Sequence, residues 1–131
     1  MTSKDYVASL FDLTGHVGII TGASRGLGLG QAKVLTDAGA TVYNLDLMPH
    51  TDEEEIAGGR MTDVICDVTD YKKLETVVRE IAEKEGHLDF LINNAGITYK
   101  CRAEEFPEDR LDKIMEINLK TPLMLSRICY P

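Results

Sequence analysis

A chain of 131 residues, 44% hydrophobic and 27% charged, has the length and composition of one globular domain, which excludes a disordered or lipid-spanning chain. Its formal charge of −8, from 14 basic against 22 acidic side chains, disfavours nucleic acid, because each phosphate contact draws on Lys or Arg that this surface lacks in excess. The longest apolar run, around Phe90 to Ile92, is far below the ~20 residues of a membrane helix, and the opening MTSKDYVASLFD has no apolar signal-peptide centre, so the cytosol is the expected compartment.

Residues 17 to 21, VGIIT, form a short apolar run bounded by glycines and predict a strand buried on both faces. A glycine-rich turn follows, and then GQAKVLTDAG, whose Ala32 and Leu35 face inward before Gly39 ends a helix. The unit repeats with variations. TVYNLD (41 to 46) predicts a second strand, the acidic stretch around 52 to 57 a short solvated helix, and DVICD (63 to 67) a third strand. Leu74, Val77, Val78 and Ile81 recur at helical spacing until Gly86, LDFLINN (88 to 94) predicts a fourth strand, and a last helix begins near Pro107 to Asp109 with Leu111, Ile114 and Met115 on one face. Alternating strands and helices of these lengths imply a single α/β domain over 1 to 131, a parallel sheet of about four strands with helices on both faces.

The turn between the first strand and helix is TGASRGLG, which sets Gly22, Gly26 and Gly28 where a pyrophosphate would need free helix amides and backbone unobstructed by a Cβ. Read by itself, this is either such a cradle or an ordinary glycine turn. Asp46, at the end of the second strand, suits the two ribose hydroxyls of an adenosine and would repel a 2′-phosphate, which favours NAD over NADP; as a turn-capping Asp before Pro49 it would need no ligand. Arg25 beside the glycines argues the other way, as a base that could meet a 2′-phosphate.

TGASRGLG, Asp67-Val68 after the third strand, NNAG at 93 to 96 after the fourth and Asn118 in the following helix together resemble the short-chain dehydrogenase/reductase family, and the likeness runs from Phe11 onward. The resemblance implies a Rossmann (doubly wound) fold, here incomplete, with strand order three, two, one, four, and a nicotinamide dinucleotide held by Gly22, Ser24, Arg25, Gly26, Leu27 and Gly28. It further implies that Asp67 and Val68 hold the adenine and that Asn94, Ala95 and Gly96 face the nicotinamide side, with Asn93 a support that bonds neighbouring backbone. Segments such as GITYKCRAEEFPEDR are similar to members that act on sugar acids.

The last helix raises its own problem, because Pro122 has no amide to offer the carbonyl of Asn118 and a kink is expected there. In the family an Asn at this place holds a water on its main-chain carbonyl and so serves a proton relay. That would make Asn118 the catalytic-site residue of this chain, although a structural Asn beside a tolerated kink fits the same spacing.

The relay's Ser and Tyr-x-x-x-Lys have no counterpart before Pro131, so the chain is expected to be the N-terminal part of a dehydrogenase of alcohols or ketones, inactive alone, and homo-oligomeric when complete. A non-catalytic dinucleotide-binding or interaction module is the alternative. His16, His50 and His87 stand in no metal or triad spacing and are expected at the surface, and no metal site is expected. Cys66, Cys101 and Cys129, without any CxxC pair, suit reduced thiols.

Overall fold

The computed structural model describes residues 1–130. Four strands, β1 (Val17–Thr21), β2 (Thr41–Asp46), β3 (Met61–Ile65) and β4 (Phe90–Ile92), form one parallel sheet in the order β3-β2-β1-β4. Every residue of β1 is buried, because apolar side chains on both of its faces have a helix layer to meet. Ile19 packs with Tyr43, Leu45, Leu74, Val77, Val78, Ile81 and Leu125 on one side of the sheet, and its neighbour Ile20 packs with Leu29, Ala32 and Val42 on the other. The period-two alternation of a strand thus splits one apolar run between two cores.

Helix α2 (Gly26–Asp37) covers one face, and α3 (Tyr71–Glu85) with α5 (Thr121–Cys129) covers the other. Helix α3 starts where Asp70 accepts from the Lys73 amide and ends at Gly86 in the left-handed region. An N-terminal helix, α1 (Ser3–Ser9), was not expected; Thr2 and Asp5 close a capping box around its first turn, and none of its residues is buried.

Five expectations need correction. The third strand is Met61–Ile65 rather than 63 to 67, because Asp67 turns to accept from Thr69 instead of extending the ladder. The acidic stretch around 52 to 57 is not helical: turns lead to a 3₁₀ turn at Ala57–Gly59, since four consecutive carboxylates give a helix no apolar face with which to offset its nucleation cost. Helix α2 begins at Gly26 rather than Gly30, so the glycines themselves form its first turn. The fourth strand is only Phe90–Ile92, because Asn93 and Asn94 turn away to bond other elements. Beyond Pro107 the helical stretch has three parts, α4 (Glu108–Met115), a π turn (Glu116–Lys120) and α5.

The π turn is how the helix accommodates Pro122. Thr121 N–H donates to the Glu116 carbonyl five residues back, and the proline falls in the first turn of α5, where its missing amide costs least. Ile114 is half-buried, whereas Leu111 and Met115 are each 48% exposed and Leu119 and Leu123 continue an exposed row at four-residue spacing. No helix among the described residues is long and apolar enough to cross a membrane.

Candidate dinucleotide cleft

Sheet order reverses between β1 and β4, since β1 is followed in sequence by β2 on one side and neighbours β4 on the other. Connections leave such a point in opposite directions, and a crevice opens beyond the carboxyl ends of the strands. A cleft of about 460 Å³ lies there. Gly22, Ser24, Arg25 and Gly26 form one wall, Asp46, Asp67 and Val68 a second, and Asn94, Ala95 and Gly96 a third, so ten of the thirteen residues expected at the site share one cavity.

The glycine turn has the shape that a close-lying ligand requires. Gly22 and Gly26 have φ of 69° and 60°, a region that costs an L side chain roughly 1–2 kcal/mol. A Cβ on Gly22 would stand 3.0 Å from Ala95 Cα, whereas one on Gly26 would meet nothing within 4 Å, so the backbone is open toward the cleft there. The amides of the first turn of α2 lack intrahelical acceptors and form the positive end of the helix dipole, which together suit a diphosphate. Gly28 and Leu27 do not line the cleft. Gly28 lets the turn pack, since a Cβ there would overlap the Gly22 carbonyl oxygen and lie 2.5 Å from Asn94 Nδ2, and the Leu27 side chain lies 84% exposed over a separate apolar groove.

Thr21 and Asn94 tie the turn to the segment after β4. The Thr21 hydroxyl accepts from the amides of Asn94 and Ala95 at 3.1 and 3.0 Å, and Asn94 Nδ2 donates to the carbonyls of Thr21 and Gly22 at 3.1 and 3.0 Å. The support expected of Asn93 is therefore given by Asn94, while exposed Asn93 reaches only Ser126 Oγ at 3.2 Å. Asn118 acts as a clamp outside the cleft lining: its Oδ1 accepts from the Ile97 amide at 2.9 Å and its Nδ2 donates to the Ile97 carbonyl at 2.8 Å. A Cβ on Gly96 would stand 3.3 Å from that Oδ1.

Asp46 accepts from Leu47 N–H at 2.7 Å and from Ser24 N–H at 3.3 Å, which fixes its carboxylate at the cleft mouth. Asp67 Oδ1 accepts from the amide and hydroxyl of Thr69 at 2.8 and 2.7 Å, and these bonds, the amide's first, hold its carboxyl below the usual range. Since Asp70 is the cap of α3, Asp67 is not engaged as a helix start. Burial pushes the Cys66 thiol up, so this cleft residue is a neutral apolar wall.

Sequence reasoning missed Leu45, Leu47, Met48, Cys66, Ile97 and Ile117 in the lining, and Thr21 behind it. Their signal is positional: all but Met48 stand next to a residue already singled out, and Met48 follows Asp46 by two. The histidines also divide. His16 and His87 are exposed as expected, but His50 is half-buried, with Nδ1 2.8 Å from Asp63 Oδ2.

The family model for short chain dehydrogenases matches residues 16–131. An NAD-dependent glycerol dehydrogenase of Listeria innocua is 33% identical over 120 residues, which is 90% of this chain and 47% of the relative. A 2-dehydro-3-deoxy-D-gluconate 5-dehydrogenase of Escherichia coli K12 is 30% identical over 124 residues, 92% of this chain and 49% of the relative. Among solved structures, a metagenomic short-chain oxidoreductase in complex with NADP superposes with a TM-score of 0.79 at 30% identity, covering 89% of this chain and 56% of that one. The chain spans about half the length of the curated relatives it matches.

Proposed function

Because this chain belongs to the short-chain dehydrogenase family, we propose that it is the dinucleotide-binding part of an oxidoreductase that moves hydride between a nicotinamide and an alcohol or ketone, with NAD preferred. One observation carries the cofactor choice. The Asp46 carboxylate is held at the cleft mouth by two backbone amides, and the residues after it, Leu47 and Met48, are exposed and apolar. A 2′-phosphate would meet a fixed negative charge there, with Arg25 the single cation in the lining.

The remaining walls fit the same ligand. Gly22, Ser24, Arg25, Gly26 and the amides of Leu27 and Gly28 would take the diphosphate, Asp67 and Val68 the adenine, and Asn94, Ala95 and Gly96 the nicotinamide side. When bound, the nicotinamide supplies the hydride-carrying carbon. What this chain contributes is orientation: the clamp of Asn118 on Ile97 fixes the segment beside the nicotinamide end, and its main-chain carbonyl, which Pro122 cannot engage, is suited to ordering a relay water. The family's carbonyl-holding Ser and acid/base Tyr-x-x-x-Lys have no counterpart in these 131 residues, so binding without turnover is expected of this chain by itself.

The dehydrogenases of glycerol and of a deoxy-gluconate among the relatives support a polyol or sugar-acid substrate for the complete protein. The three unpaired thiols support a cytoplasmic setting. The exposed row Leu111, Met115, Leu119 and Leu123 supports a homo-oligomer of the complete protein, and it is also what an interaction module would present.

Titration of the chain with NADH and with NADPH, followed by nicotinamide fluorescence, tests the cofactor reading. NADH is expected to bind at least about tenfold more tightly, and Asp46→Ala to erase that preference. Tighter NADPH binding would refute the role of Asp46, and no binding of either would refute the reading of the cleft.

A further inference from the structure

Asn44 is a polar residue in the middle of β2, completely buried between apolar neighbours. An unpaired amide in such a place costs several times what a paired one contributes, so the partners reveal its purpose. Its Oδ1 accepts from Ala23 N–H at 2.8 Å, and its Nδ2 donates to Ser24 Oγ and to Asp63 Oδ1, both at 2.9 Å. The orientation is fixed chemically, because the reversed amide would set Nδ2 against the Ala23 N–H, donor against donor.

The partners of Asn44 extend the network to the loop after β2. Ser24 Oγ donates to the Met48 carbonyl at 2.5 Å, the Ser24 carbonyl accepts from Thr51 N–H at 2.8 Å, and Asp63 accepts from the His50 amide at 3.2 Å and pairs with His50 Nδ1 at 2.8 Å. The Thr51 hydroxyl is buried without a partner, so backbone and not side chain holds that end of the loop. One amide thus joins the glycine turn, the loop 47–51 and β3.

We propose that Asn44 and Asp63 are positioning residues for the dinucleotide, locking the glycine turn and the loop 47–51 into one relative placement so that Ser24 and Asp46 meet the ligand already aligned. The inference rests on the cleft being a dinucleotide site, and it concerns residues that do not touch the ligand. Their contribution is preorganisation: without the network, binding would have to order the loop at the expense of affinity.

The test compares Asp63→Asn, which keeps the acceptor for Asn44 and the His50 amide, with Asp63→Ala, which removes it; Asn44→Leu is a third variant if it folds. In the ligand-free chain, amide hydrogen exchange at Ala23, His50 and Thr51 is expected to rise about tenfold in Asp63→Ala, while Val77 to Ile81 in α3 keep wild-type rates and Asp63→Asn behaves as wild type. NADH affinity should fall about tenfold in Asp63→Ala and return in Asp63→Asn. Unchanged loop exchange, equal acceleration everywhere, or wild-type NADH affinity in Asp63→Ala would overturn the proposal while leaving the cleft reading intact. Failure of the wild-type chain to bind NADH or NADPH sinks the cleft reading and this proposal with it.

Discussion

Gly28 and Gly30 lie two residues apart in α2, yet alanine is expected to act in opposite directions at the two positions. On helix propensity alone each replacement should gain up to ~1 kcal/mol. At Gly30 nothing lies within 4 Å of the added carbon, so the gain is realised. At Gly28 the carbon would overlap the Gly22 carbonyl oxygen, stand 2.5 Å from Asn94 Nδ2 and 2.9 Å from Ala23 Cα. Overpacking of backbone costs about 1–3 kcal/mol, and displacing Asn94 forfeits its two hydrogen bonds at ~1 kcal/mol each.

Offset by the propensity gain, Gly28→Ala should lose about 2–4 kcal/mol, a large part of a small domain's total stability. With a urea slope of about 2 kcal/mol/M, its unfolding midpoint should fall by about 1–2 M, against a rise of about 0.5 M for Gly30→Ala. Equilibrium urea unfolding followed by far-ultraviolet circular dichroism measures both. Should Gly28→Ala match or exceed the wild type at an unchanged slope, the packing account of the glycine turn is wrong.

Two further outcomes follow from the same geometry. Thr21→Val keeps the shape but removes the acceptor for the amides of Asn94 and Ala95, and should cost about 1–3 kcal/mol in the same unfolding assay; a loss below about 0.5 kcal/mol would show that water replaces the hydroxyl. Burial, with a hydrogen bond to Glu85 Oε1, pushes the Tyr43 phenol up to about 12, so its contribution to stability is fully present below pH ~10 and disappears as pH rises through about 12. The phenolate absorbance titration of wild type minus Tyr43→Phe should therefore show a late step that moves down in Glu85→Gln, and an ordinary midpoint in the wild type would contradict this environment.

The amino-acid sequence determined the α/β class, the strand bounds of β1 and β2 and the inward face of α3, because short apolar runs set off by glycines, and an apolar face at helical spacing over fifteen residues, have few alternatives. It also determined the ingredients of the cleft, since a glycine turn, a carboxylate at a strand end and NNAG are local patterns whose chemistry depends little on distant partners. Tertiary structure decided the rest. Only contacts between residues far apart in the chain could show that Asn94 and not Asn93 braces the turn, that Gly28 serves packing while Gly26 leaves room, and that buried Asn44 joins three elements. The acidic stretch 52 to 57 and the π turn before Pro122 belong with them: a helix there depends on what a neighbouring surface offers its side chains and unpaired carbonyls, which the order of residues does not specify.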